Sequence, residues 1–140
     1  MKVVIEDNEF VSLWYHTDKK VVHHKIKTVK PPYNQTHRKL FRATLLRGVQ
    51  LFKDHSANKW LSDDTDAIPI PAHDVEWGEK EWAPKAVVCG WRFWAMVVPK
   101  DLVSQMGASN IVRRLSALGV TVKPFSDETQ ALNWLESCGN

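Results

Sequence analysis

The run WRFWAMVVP at 91–99 constrains this chain most. It is continuously apolar, it is bounded by Gly90 and Pro99, and it is too short for a helix with a polar side. Such a run reads as a central strand buried on both faces, which requires covering layers on each side of a sheet. The neighbouring segments offer those layers. AHDVEWGEKEWAPKAVVCG (72–90) has a helical pattern, weakened by Gly78 and by Pro84, which is expected to kink or split it. DLVSQMGASNIVRRLSALG (101–119) contains a helix with Ile111, Val112, Leu115 and Leu118 on one face, Ser109 or Asn110 as its cap and Gly119 at its end.

The longest helical pattern is 34–56, where Phe41, Leu45, Val49 and Phe52 recur at spacings of three and four. Asn34 is placed to cap it. Gly48 inside it costs about 1 kcal/mol against alanine, and close packing of helix on sheet is the reason for a glycine there. Before it come VVIED (3–7), EFVSLWYH (9–16) with Asn8 as the turn, and KKVVHHKIKTV (19–29), stopped by PPY at 31–33. These read as an antiparallel meander. ANKWLSD (57–63) is a short strand, IPIP (68–71) an extended loop that places Pro71 in the first turn of the next helix, VTVKPF (120–125) the last strand, and SDETQALNWLESC (126–138) the last helix, capped by Ser126 or Asp127.

Strands alternating with helices mean crossover connections and a largely parallel sheet. The expectation is therefore an α/β fold: one domain over 1–140, with a mixed sheet, an N-terminal antiparallel meander and about four helices packed on it. The composition, 44% hydrophobic and 25% charged, is enough to build one core.

Charge excludes one class of partner. Nineteen basic and 16 acidic residues give a net charge of +3, too balanced for nucleic acid. The charge is uneven, with lysines, arginines and histidines concentrated in 19–42 and acids in 63–66 and 74–81. That division suits a protein partner or self-association, such as a homodimer. Cys89 and Cys138 form no CxxC or zinc spacing and no disulfide framework. MKVVIEDNEF is not a signal peptide, and no apolar run approaches the ~18 residues of a membrane span. A cytoplasmic location without a bound cofactor is the expectation.

No nucleophile, phosphate-loop or zinc-protease motif is present, so the sequence points away from an enzyme. His23 and His24 alternate across a strand and cannot share one metal. Cys89, in VVCGW, reads as packing. Seven tryptophans are many for this length. Trp77 and Trp82 stand about 140° apart on an α-helix, so both cannot face one core, and they are candidates for a partner or ligand surface. Trp91 and Trp94, three apart on a strand, are expected on opposite sides. The apolar run ending at Leu61 breaks into Ser62, Asp63, Asp64, Thr65 and Asp66. As a cation site the aspartates lack EF-hand spacing, and an exposed turn with capping aspartates accounts for them.

KWLSDDTD (59–66), EWGEKEWAPKAVVCGWRFWAMVVP (76–99) and ETQALNWLES (128–137) resemble the STAS/SpoIIAA-like family, within it the small stand-alone bacterial STAS/SEC14-like proteins. The resemblance covers nearly the whole chain and implies a SpoIIAA/STAS-like fold. It implies a non-enzymatic regulatory or protein-interaction domain, as in anti-sigma-factor antagonists, where a serine or threonine after the corresponding strand is phosphorylated by a partner kinase. Ser62 and Thr65 hold that place, but the usual glycine is missing and the aspartates disfavour an added phosphate. The expected partner or ligand surface is made of Asp63, Asp64, Asp66, Trp77 and Trp82. The family's Sec14 connection implies an alternative: a carrier for a small apolar ligand, a lipid or a nucleotide, held between the acidic helix and the sheet.

Overall fold

A computed structural model describes residues 1–28, 33–67 and 70–139. β1 (Lys2–Asp7), β2 (Val11–His16) and β3 (Val21–Ile26) pair antiparallel in succession. The Asn8 side chain accepts the N–H groups of Phe10 and Val11 and closes the first turn. β3 is shorter than the 19–29 pattern. Lys20 at φ 55° belongs to the turn before it, and Val29, Pro31, Pro32, Ile68 and Pro69 lie outside the described residues.

β4 (Lys59–Asp63), β5 (Phe93–Val97) and β6 (Thr121–Phe125) extend the sheet in parallel from β3, so all six strands stand in chain order. Each parallel step is made by helical crossover. α1 (Gln35–His55) joins β3 to β4 and is capped by Asn34, which accepts the His37 N–H at 3.0 Å. Between β4 and β5 run α2 (Ala72–Trp77), a π-helical turn (Gly78–Trp82) and α3 (Ala83–Val88). Pro84 cannot donate to the helix ladder, and the helix widens just ahead of it, where the Ala83 N–H reaches back to Gly78 O. A 3₁₀ turn (Lys100–Leu102), α4 (Val103–Gly107) and α5 (Asn110–Ala117) lead to β6. α6 (Glu128–Ser137) closes the chain, with Asp127 accepting the Gln130 N–H.

Strand alternation sorts the side chains onto two faces. Val21, Leu61, Ala95 and Val97 face α6, where Ala131 and Leu135 are fully buried. Val22, Trp60 and Trp94 face the other way, toward α1, α3 and α5. The sheet is thus covered on both sides, as the apolar 91–99 run requires. Among the described residues no helix is long and apolar enough to cross a membrane.

The π-turn alters one expectation. Residues five apart on an α-helix point away from each other, but an i→i+5 turn stacks them. Trp82 is therefore buried in the core, and Trp77 packs partly buried against the same cluster. A second expectation is corrected by the start of β5 at Phe93. Trp91 precedes the strand, held by its N–H to Ala86 O, so it escapes strand alternation. Its ring lies 5.8 Å from that of Trp94, on the same side of the sheet.

Candidate functional site

The helical layer does not seal onto the sheet. Between them lies a cavity of about 550 Å³, within the range of small-molecule sites. It sits over the carboxyl ends of β3 and β4 and the segment after β5, where open parallel sheets characteristically receive ligands. Phe41 and Leu45 of α1, Val75 of α2, and Ile111 and Leu115 of α5 form part of its apolar wall. Trp60, Trp82, Trp91 and Trp94 run along it as a chain of edge-to-face and tilted rings, with centroids 5.0 to 5.8 Å apart. Every one of these indoles has a partner for its N–H. Trp82 donates to Leu45 O, Trp91 to Phe93 O, Trp60 to His24 and Trp94 to Ser62.

The last two bonds belong to a polar cluster set into the apolar wall. β3 and β4 are in register so that His24 stands beside Ser62. Trp60 Nε1 donates to His24 Nδ1 at 2.8 Å. Trp94 Nε1 donates to Ser62 Oγ at 2.7 Å, and Ser62 Oγ donates to Asp64 at 2.9 Å. Asp64 itself is fixed by its backbone N–H, which continues the parallel pairing to Val97 O. An indole N–H only donates, so His24 Nδ1 is the acceptor, and the proton of the neutral ring sits on Nε2. Burial holds the His24 pKa down to about 4, with the charge of Asp63 opposing, so the ring is neutral at pH 7. Burial also pushes the Asp64 carboxyl up to about 6, against the Ser62 hydroxyl that stabilises its ionised form. His24 Nε2 and Asp64 Oδ1 face each other at 4.0 Å, too far for a hydrogen bond.

Two other acids reach the cavity wall, Asp74 and Glu79, and both carry guanidinium partners. Asp74 is wholly buried and receives Arg38 Nε at 3.0 Å and Arg42 Nη2 at 2.9 Å, both from α1. Burial opposes its ionisation, but the Arg38, Tyr33 and Arg42 contacts win and lower its pKa. Glu79 accepts Arg114 Nη1 at 2.6 Å.

The residues singled out from the sequence separate. Asp64 and Trp82 line the cavity. Trp77 stacks under the Arg42 guanidinium, 4.9 Å from the ring centroid. Asp63 and Asp66 pair with Lys25 at 3.3 and 3.2 Å, and Asp63 also accepts the Thr65 N–H in a local turn. Ser62 is buried in β4 with its hydroxyl bonded on both sides, whereas Thr65 is exposed. The acidic break is thus partly the turn expected of it, with Asp64 directed inward instead. His24 and Trp60 are the residues that sequence reasoning missed. Their shared parity with Ser62 across β3 and β4 was the available signal.

On the opposite face, His16 Nε2 and His23 Nδ1 lie 2.9 Å apart, and His23 Nε2 is 3.1 Å from Glu128 Oε1 but off the line of a hydrogen bond. His23, Asp63 and Glu128 bring ligand-type atoms within 4.8 Å of one another. Asp63 is already neutralised there by the Lys25 ammonium, which opposes a second cation. The cluster reads as the Lys25–Asp63 ion pair beside a neutral, buried His23 that packs against Glu128 of α6.

No protein-family model, curated protein or solved structure matches the chain.

Proposed function

We propose that this protein binds a small, largely apolar molecule in the cavity between the sheet and its helical layer, and acts as a carrier or sensor without a chemical step. The observation that carries this reading is the cavity itself: about 550 Å³, walled by four tryptophans and by aliphatic side chains, at the carboxyl end of the parallel strands. A core of this size ordinarily closes on itself at crystal-like density. Apolar walls around a few convergent polar groups are the usual composition of a ligand site. The STAS/SEC14-like resemblance points the same way through its Sec14-type alternative.

A neutral apolar fluorophore, N-phenyl-1-naphthylamine, tests it. Excited tryptophans on the wall should transfer energy to the bound dye, giving a saturable signal at one dye per chain. Gly78 lines the cavity and a Cβ there meets nothing within 4 Å, so Gly78→Leu fills space without a backbone clash. That variant should keep its melting temperature and lose about tenfold or more in dye affinity, the equivalent of ~1.4 kcal/mol. Absence of saturable binding, or unchanged affinity in Gly78→Leu, would sink the reading.

A second reading, a regulatory contact of the anti-sigma-antagonist kind, is favoured by Thr65. It is the exposed hydroxyl of the loop after β4, on the rim of the charged surface formed by Asp63, Asp66 and Lys25. Ser62 is shut off from a kinase by burial, so Thr65 is the residue a phosphate would take under this reading.

A further inference from the structure

A facing pair of polar atoms stands in the cavity wall, His24 Nε2 and Asp64 Oδ1. Among the described residues His24 Nε2–H has no acceptor, and the facing Asp64 Oδ1 has no donor. They stand 4.0 Å apart. An oxygen placed ~2.8 Å from each would form two good hydrogen bonds meeting at about 90°, accepting from one and donating to the other. We propose that the ligand of this cavity is an apolar alcohol, whose terminal hydroxyl accepts from His24 Nε2–H and donates to Asp64 Oδ1 while its hydrocarbon lies along the tryptophan wall. This rests on the cavity being a ligand site.

The chemistry excludes close relatives of that group. An ether oxygen accepts from His24 but leaves the Asp64 carboxylate facing a lone pair. A carboxylate ligand brings a second anion against Asp64, and the guanidinium groups of Arg38, Arg42 and Arg114 are engaged by the wall acids Asp74 and Glu79. An alkylammonium satisfies Asp64 but has no lone pair for His24 Nε2–H. The two positions are held rigidly. Trp60 fixes the His24 tautomer and Ser62, anchored by Trp94, fixes the Asp64 carboxyl, so the pair is preorganised and binding a hydroxyl orders few groups.

The test is a matched series on the intact protein: 1-decanol, decyl methyl ether, decane, decanoate and decylamine, each titrated by displacement of N-phenyl-1-naphthylamine. Decanol should bind about tenfold or more tightly than the ether, because a hydrogen bond to a charged group contributes roughly that factor or more. In Asp64→Ala the alcohol-to-ether ratio should fall to near unity. The ratio is internal to each variant, so a change in cavity size cancels, and the wild-type ratio alone decides the matter if Asp64→Ala does not fold. Equal affinities for decanol, ether and decane would overturn the hydroxyl inference and leave the cavity reading standing. So would tighter binding of decanoate or decylamine than of decanol. Failure of the dye and of the whole series to bind would overturn both.

Discussion

Gly48 shows how one residue sets the distance between two layers. A Cβ built there would lie 2.1 Å from Cη2 and 2.2 Å from Cζ3 of Trp60, which is 1% exposed and can yield only toward the cavity, at the expense of its packing. The same ring donates to His24. Gly48→Ala should therefore destabilise the protein by about 2 kcal/mol, overpacking outweighing the ~1 kcal/mol that alanine gains in helix propensity. Urea denaturation measures it, and Trp60→Phe in the same chain should recover part of the loss. A stabilised Gly48→Ala would show that the helix stands farther from the sheet than described. The need for a close approach was legible in the sequence, from a glycine in the middle of a strong helical stripe. Its partner was not, because Gly48 and Trp60 meet only when α1 lies across the strand that follows it.

At the scale of elements, α2 is the least self-sufficient part of the helical layer. It is one short segment, its cap position is Pro71 without a side-chain bond, and a π-turn follows it at once. What holds it to α1 is the buried Asp74 with Arg38 and Arg42, reinforced by Arg42 over Trp77. Asp74→Ala leaves two guanidinium groups side by side without their acceptor, relieved in part because Arg38 and Arg42 are 23% and 31% exposed, so it should cost about 1–3 kcal/mol in chemical denaturation. Because α2 carries part of the cavity wall, the variant should also bind the naphthylamine dye more weakly; a change below ~1 kcal/mol with unchanged dye binding would place the anchor elsewhere. Strand and helix order could be read from periodicity because each element's apolar pattern is local. The π-turn could not. Gly78 and Pro84 announce a weak helix, but whether it kinks, splits or widens depends on what Trp77 and Trp82 gain by reaching the same core.

The whole molecule buries more histidine than its modest net charge suggests. His16, His23 and His24 are each under 10% exposed, and burial, the largest cause for each, holds their pKa values down to about 4, 3 and 4. As pH falls below the ordinary value of about 6.5, the unfolded chain takes up protons that the folded chain refuses, so stability is lost from there down to the folded values. Asp64 acts in the opposite sense. Its folded pKa of about 6 lies above the unfolded value, so the folded state takes up that proton first and gains stability as pH falls from about 6 toward 4. Three groups outweigh one. Denaturant midpoints should decline between pH 6.5 and 4, and Asp64→Asn, which removes the counterweight, should decline more steeply. A flat wild-type profile would mean that the histidines are not buried neutral. The sequence by itself determined the α/β class, the order of strands and helices, the cap at Asn34 and the opposite facing of His23 and His24, and it narrowed the last cap to Ser126 or Asp127, since each follows from spacing along one short segment. Only the tertiary structure decided that Trp60, Trp82, Trp91 and Trp94 share one wall, that Asp64 turns inward while Asp63 and Asp66 meet Lys25, and that a cavity lies between the layers. Those outcomes depend on how parallel strands register and how helices cross over them, and contacts between residues distant in the chain leave no period in it.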